Sequence, residues 1–287
     1  MILAIDIGSN TIKCLLGHSE SGSVVRVYEK SLDNRILDNG GVLVQNADSM
    51  IAESIKTFIT SAKKFSDDFK VKVVATSALR DSNCRNKILE NVLHETGCQI
   101  KILSGDEEAR LSFCGAMSDV LVDSSKRSAY FDLGGGSLEI VAGQNCDVDF
   151  ACSIPIGAVR LTRTCKCNEE YFETSRKAIG QALSSFPRCE QLIGAGGSVV
   201  AARFMKQKLG LDGAENIISI DDIHACYDAV CGLSVEQRVE KFAITRNRAD
   251  IIVSAFASII ELMDFLQMKE LVHTFCNIRY GLILSSK

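Results

Sequence analysis

Hydrophobic and polar positions alternate in two stretches of the chain that superpose without a gap. "AIDIGSNTIKCLLG" (Ala4–Gly17) matches "YFDLGGGSLEIVAG" (Tyr130–Gly143), placing Asp6 on Asp132, Ile7 on Leu133, Gly8 on Gly134 and Gly17 on Gly143. Each copy reads as a strand, a tight Gly/Ser turn and a returning strand. The spacing between the copies far exceeds the roughly 20–50 residues of solenoid repeats, so the pattern predicts two related halves and not an array.

The flanking segments repeat the same plan. After the first copy, "SVVRVYEKSL" predicts a third strand, and apolar residues at helical spacing fill Ala47–Phe65. "VKVVATSAL" reads as a strand, Asp81–Glu95 as a helix closed by Gly97, "QIKILS" as a strand and Asp106–Met117 as a helix. After the second copy come "VDFACSIPI", helices near Ala158–Arg163 and over Glu169–Ser184, the strand "QLIGAG" and a helix from Ser198 to Lys208. Helices over Ile220–Cys231, Val235–Phe242 and Ala249–Gln267 precede a last strand, "LVHTFC", and a closing helix. Strands first and strand–helix alternation afterwards, twice over, predict an α/β fold of two duplicated domains with an interdomain cleft. The expected domains are 1–120 and 121–287, parted in the polar stretch Ser118–Arg127, with the C-terminal helix free to pack back on the first.

Composition narrows the function classes. A chain of 287 residues buries about three-quarters of its unfolded surface and needs no disulfide or metal staple. Its 12 cysteines are scattered without a framework and are expected to be reduced thiols of a cytoplasmic protein. Cys165 and Cys167 are the one close pair, and no matching ligands flank them, which argues against zinc. A net charge of -4 argues against non-specific nucleic-acid binding. No basic leader opens the chain and no apolar run reaches about 20 residues, so no membrane partner is expected. A polyanionic substrate stays open, because backbone N–H groups and a divalent metal neutralise phosphate locally.

The glycines raise a specific question. Gly134, Gly135 and Gly136 interrupt a hairpin where a side chain would otherwise pack. Amides in such turns form anion-binding nests, and glycine lets a phosphate oxygen reach them. A Gly-rich hairpin alone is more often a plain turn. The duplicate, with Gly8, Ser9, Asn10 and Thr11 at the matching turn and an Asp at the same place, favours phosphate held by both turns, with Ser137 as a further donor. The pattern is not G-x-G-x-x-G and a strand follows it, so a dinucleotide-binding reading fails. "GAGGSVV" follows a strand and opens a helix, which makes Gly197 and Ser198 a weaker candidate anion site.

Asp6 and Asp132 end strands at the mouths of loops, as oxygen ligands of Mg²⁺ on phosphate would. Glu139 lies on the outgoing strand of the second hairpin and can face the same cleft. In "SGDEEARL", Asp106 and Glu107 suit the macrodipole of a helix start, while Glu108 is open to either reading. Arg80 can clamp phosphate, although a lone Arg after a strand is more often a surface residue. The histidines, His18, His94, His224 and His273, are isolated and form no triad.

Taken in order, "AIDIGSNTIK", "ATSALRD", "ILSGDEEARL", "FDLGGGSLEI", "SIPIGAVRLT", "GAGGS" and "RADIIVSAF" resemble the exopolyphosphatase / guanosine pentaphosphate phosphohydrolase family. The resemblance runs from residue 2 to near the C-terminus. It implies the actin-like superfold shared with ribonuclease H, sugar kinases and heat-shock ATPases. It further implies Mg²⁺-dependent release of terminal phosphate from inorganic polyphosphate or from guanosine pentaphosphate. By motif, Glu108 is implied as the catalytic base, and Asp132 and Glu139 as the metal and water-orienting carboxylates. Arg80 and the two turns are implied as phosphate binders. The span matches the family's short members, which does not favour processive hydrolysis of long chains. Ser254 and Ala255 stand where the family often has proline and glycine, and Asn277 where a glycine is usual. Short polyphosphate is the first substrate expectation and guanosine pentaphosphate the second. A non-catalytic sensor and an ATP-using member of the superfold remain alternatives, and a homodimer is a partner expectation.

Overall fold

The structure is a computed structural model that describes residues 1–8, 11–36, 42–80 and 82–285. Ser9 and Asn10, both expected at the first turn, lie outside the described residues. The chain divides into two compact units, Met1–Asp119 with the segment from Cys276 onward, and Val120–Phe275. The C-terminal segment, expected within 121–287 but free to pack back on the first domain, is grouped with the first unit.

In the first unit, β1 (Ile2–Ile7), β2 (Ile12–Glu20) and β3 (Ser23–Leu32) form an antiparallel meander. Helix α1 (Ala47–Ala62) leads to β4 (Lys70–Ala75), which joins β1 in parallel. The short α2 (Ser77–Arg80), α3 (Arg85–Thr96), β5 (Ile100–Ile102) and α4 (Gly105–Met117) complete the run. The sheet order is β3-β2-β1-β4-β5.

The second unit repeats this plan. The hairpin strands β6 (Ser128–Leu133), β7 (Leu138–Gln144) and β8 (Asp147–Ile154) are followed by α5 (Ala158–Thr164), α6 (Asn168–Ala182), β9 (Gln191–Ala195) and α7 (Gly197–Leu209). Then come β10 (Ile217–Ser219), α8 (Ile220–Cys231), α9 (Val235–Phe242), α10 (Arg246–Leu266) and β11 (Glu270–His273). Its sheet order is β10-β11-β9-β6-β7-β8. Read from the meander, β8-β7-β6-β9-β11 repeats β3-β2-β1-β4-β5, with β10 added at the edge. Helix α11 (Ile278–Leu284) ends the chain in the first unit.

Strand periodicity explains where the sheets bury. Leu3, Ile5 and Ile7 share one face of β1 with the core under α1 and α3. Ala4 lies on the other face, in a second cluster with Leu103 and with Ile278 and Leu282 of α11. Phe131 and Leu133 enter the core of the second unit, which α10 closes with Ile252, Ala255, Phe256 and Ile259. Asp6 and Asp132 fall between these core positions, so each emerges from the opposite face of its strand near the turn.

Two elements differ from the pattern in the sequence. "VKVVATSAL" does not stay extended: β4 stops at Ala75, and the Thr76 carbonyl accepts the amides of Leu79 and Arg80 to close a helical turn. Strand β10 pairs only Ile217, Ile218 and Ser219 with β11, a run too short to show a period of two.

Candidate functional site

The first unit offers two groups. The first is the β1–β2 hairpin, closed by the Gly8 amide donating to the Thr11 carbonyl at 3.1 Å. A Cβ on Gly8 would stand 3.0 Å from that same oxygen, so only glycine fits without adjustment. Asp6 pairs across the hairpin with Lys13. Its Oδ1 is buried and has no hydrogen-bond partner among the described residues. Burial pushes this carboxyl above its usual range, against the opposing pull of Arg279 and Lys13. Folding thus takes up a proton at Asp6. The stability tied to it is complete below the unfolded value of 3.8 and is lost as pH rises through the folded value. Without divalent metal, Asp6→Asn should raise stability at pH 7 by about 1 kcal/mol. The gain should vanish as pH approaches 4, as read by urea unfolding across that range.

The second group is Arg80 with Glu108. Arg80 ends α2, and its Nη1 donates to Glu108 Oε2 at 2.9 Å and to the Leu103 carbonyl at 3.0 Å. Glu108 lies in the first turn of α4, whose start is fixed by a capping box. The Glu107 amide donates to Ser104 Oγ at 3.2 Å, and Glu107 Oε2 accepts from the Ser104 amide at 3.0 Å. Lys101 holds the other oxygen of Glu107 at 2.6 Å, and Asp106 is exposed. Two of the three acids therefore serve the helix end, and Glu108 turns to Arg80.

Helix α4 is seated by α11 through glycine contacts. A Cβ on Gly115 would lie 2.0 Å from the Asn277 carbonyl oxygen, and one on Gly281 would lie 2.0 Å from that of Leu111. Asn277, where the resembled family favours glycine, caps α11 by accepting the Arg279 amide at 3.2 Å. Arg279 itself is buried. It donates to the Cys14 carbonyl at 3.1 Å and to Asn277 Oδ1 at 3.2 Å, and pairs with Glu29 at 2.8 Å.

In the second unit, the Gly134 amide donates to the Ser137 carbonyl at 2.9 Å, the same closure as in the first hairpin. The carbonyls of the glycine run all face α5. Gly134 and Gly135 oxygens accept the Ala158 and Arg160 amides at 3.0 Å each, and the Gly136 oxygen accepts Arg160 Nε at 3.0 Å. Two of the orphan N–H groups in the first turn of α5 are thereby satisfied by the loop. Gly135 and Gly136 are exposed, and among the described residues no bond to the amides of Gly135, Gly136 or Ser137 is present. That leaves a row of donors for an anion.

Asp132 and Glu139 are direct register partners across the β6–β7 hairpin, so their side chains stand on one face. Glu139 Oε1 accepts from Ser137 Oγ and, at 3.0 Å, from Ser153 Oγ. The "GAGGS" turn passes beside Asp132, since Asp132 is level with Ala195 in the parallel β6–β9 pair. Its glycines leave room for side chains. A Cβ on Gly196 would lie 2.2 Å from Asp132 Oδ1, and one on Gly197 would lie 1.8 Å from Arg248 Nη2. Gly196 also has φ +86°, a region that favours glycine. Arg248 Nη1 reaches Ser198 Oγ at 3.3 Å. Burial draws the Arg248 guanidinium below its usual range, and the Asp132 charge opposes that.

Sequence reasoning missed Arg248, because a basic residue opening a helix reads as a solvated cation; the paired Gly196–Gly197 was the signal that something large approaches. It also left out Gly157, whose missing side chain lets α5 meet the glycine run. Ser254, in place of the family's proline, donates to the Ala158 carbonyl at 2.9 Å and so ties α10 to α5. Among the described residues, no cluster of three or more His, Cys, Asp or Glu side chains is placed to hold a metal, and no helix is long and apolar enough to cross a membrane.

Two sheets of one topology, each with an aspartate at the mouth of a Gly-turn hairpin, define a duplicated actin-like α/β protein. The model of the Ppx/GppA phosphatase family matches residues 23–287, and the chain belongs to that family. It is 32% identical over 169 residues to exopolyphosphatase 1 of Mycobacterium tuberculosis, covering 55% of this chain and 47% of that protein. It is 27% identical over 235 residues to a bifunctional 3-dehydroquinate synthase/phosphatase of Fusobacterium nucleatum, covering 75% of this chain and 35% of that protein. The chain thus spans less than half the length of either relative. Among solved structures, the Aquifex aeolicus PPX-GPPA enzyme superposes with a TM-score of 0.86 over 99% of both chains at 20% identity. An exopolyphosphatase of Cytophaga hutchinsonii gives 0.83 at 19% identity, over 99% of this chain and 96% of that one. At these identities the likeness speaks for the fold.

Proposed function

We propose that the chain is a hydrolase of phosphoanhydride bonds that releases the terminal phosphate of short inorganic polyphosphate with Mg²⁺. The observation that carries this reading is the second-unit turn, whose carbonyls are consumed by α5 while its amides stay available. A row of unpaired turn amides suits phosphoryl oxygens. Arg248 and Ser198 add a cation and a hydroxyl in the same unit, and Arg80 adds a cation in the first.

The carboxylates fit a hard divalent ion. Mg²⁺ takes one or two carboxylates and completes its shell with water and substrate phosphate. Asp132 and Glu139 form such a pair on one face of the second unit, and in the first unit Asp6 Oδ1, buried and without a hydrogen-bond partner among the described residues, is a further candidate oxygen. When bound, Mg²⁺ would neutralise charge on the phosphoryl oxygens. Glu108 takes a proton from the attacking water as its oxygen bonds to the terminal phosphorus. The anhydride P–O bond breaks in line, and the shortened chain leaves on its own oxygen. Turn amides hold the equatorial oxygens, and Arg80 fixes the carboxylate of Glu108.

The test is phosphate release from tripolyphosphate, long polyphosphate, guanosine pentaphosphate and ATP with and without Mg²⁺. Release from the first, dependent on Mg²⁺, is expected; none from any substrate would leave the sensor, and ATP as the best substrate would favour the kinase-like alternative. A readout independent of turnover is thermal stability. Mg²⁺ should stabilise the wild type and act less on Asp132→Asn. Guanosine pentaphosphate is the second reading, favoured by Phe275, a half-exposed aromatic residue two positions past β11.

A further inference from the structure

Helix α5 meets the glycine run of the second unit through three donors. The Ala158 amide donates to the Gly134 oxygen, the Arg160 amide to the Gly135 oxygen and Arg160 Nε to the Gly136 oxygen, each at 3.0 Å. The seat is close, since a Cβ on Gly135 would stand 3.1 Å from Val159 Cγ2. A trans peptide is planar, and its carbonyl and the N–H of the next residue point opposite ways. Holding the three oxygens on the side of α5 therefore turns the amides of Gly135, Gly136 and Ser137 to the other side. The first two are set by backbone groups of the helix. The Ser137 amide is set by a side chain.

Two observations single out that side chain. Arg160 is exposed, yet its guanidinium is spent on a loop carbonyl and has no carboxylate partner among the described residues. Exposed Arg26, Arg176 and Arg246 each pair with an acid instead. Ser137, in turn, reaches the carboxylates: its Oγ donates to Glu139 Oε1, which also accepts from Ser153 Oγ at 3.0 Å. The Gly136–Ser137 peptide held by Arg160 thus leads both to an outward amide and to a hydroxyl on Glu139.

We propose that Arg160 is a positioning residue for phosphate binding, whose guanidinium acts through the Gly136 carbonyl to aim the Ser137 amide at a phosphoryl oxygen of the substrate. The assignment rests on the phosphohydrolase reading and adds to it a residue that acts through the turn and not by touching the substrate. A free cation near a polyanion attracts from a distance. A guanidinium fixed by Nε on a carbonyl acts by direction.

Isothermal titration with tripolyphosphate and an amide proton–nitrogen correlation spectrum test this together. Arg160→Gln should weaken tripolyphosphate binding about tenfold, the worth of one hydrogen bond to a charged group. Arg163→Gln removes the same charge from an exposed position one turn along α5 and should leave binding nearly unchanged. The Ser137 amide resonance of the wild type should move on titration; in Arg160→Gln it should start from a different position and move less. Arg160→Lys keeps the charge and the apolar stem, which guards the fold, but places no donor at the Nε position. It should also displace the Ser137 resonance and weaken binding. Equal weakening by Arg160→Gln and Arg163→Gln, or an Arg160→Lys protein with the affinity and the Ser137 resonance of the wild type, overturns the assignment and leaves the phosphohydrolase reading intact. Failure of the wild type to bind tripolyphosphate overturns both.

Discussion

Replacing Glu108 with glutamine is expected to lower kcat by about 10²–10⁴ while leaving KM within a few-fold of wild type. The substitution is nearly isosteric. Glutamine keeps an oxygen for Arg80 Nη1, which now donates to Glu108 Oε2 at 2.9 Å, so the end of α4 keeps its contact. It cannot accept a proton from water at neutral pH. The loss should therefore fall on the chemical step and not on binding, the signature of an interaction made in the transition state.

Glu107→Gln is the matched control. Glu107 sits one residue away on the same turn, but it serves the capping box and pairs with Lys101. Its replacement should cost stability of up to about 1 kcal/mol through the weakened cap and lost ion pair, with activity retained. Steady-state kinetics of both variants on tripolyphosphate settle the assignment. If Glu108→Gln keeps more than a tenth of wild-type kcat, the base lies elsewhere.

The legibility of this fold in its sequence is uneven, for physical reasons. The duplicated hairpins were readable because strand alternation and turn glycines are local signals, and their pairing copied the aligned residues. That the two sheets share one strand order agrees with the same repeat, although the order itself was not read from the sequence. What stayed hidden depends on distant contacts. Thr76 looks like the continuation of a strand until its carbonyl closes a turn that lifts Arg80 to Glu108. The capping box was present as Ser104 and Glu107, yet its consequence, that Glu107 serves the helix start while Glu108 turns to Arg80, depends on Lys101 and Arg80. Gly196 and Gly197 read as an anion turn, whereas the space they leave is filled by Asp132 and Arg248. Phosphate at that turn would meet a side-chain cation as well as amides. The grouping of α11 with the first unit rests on Gly115 and Gly281, whose meaning appears only when the two helices touch.

Gly157→Val should unfold more readily by several kcal/mol, on the order of 2–4, and should lose binding of tripolyphosphate. The backbone of Gly157 is not the obstacle, because φ -61° and ψ 152° suit any residue. The obstacle is space. A Cβ there would stand 2.3 Å from Gly136 C and from Ser137 N, and 2.4 Å from Gly135 C. These are backbone atoms that cannot swing aside as a side chain can. Relief requires α5 to withdraw from the turn, which breaks the bonds from the Ala158 and Arg160 amides to the carbonyls of Gly134 and Gly135. The turn then loses the anchor that points its carbonyls away and its amides outward. Gly180→Ala serves as the comparison, since nothing lies within 4 Å of a Cβ at Gly180, in the last turn of α6. That change should stabilise by up to about 1 kcal/mol and leave binding alone. Urea unfolding gives the stability of each variant, and titration with tripolyphosphate below the unfolding transition gives its affinity. A folded Gly157→Val that binds tripolyphosphate as the wild type does would remove the glycine run from the phosphate site, because no arrangement of that loop keeps both its present shape and the added methyl groups.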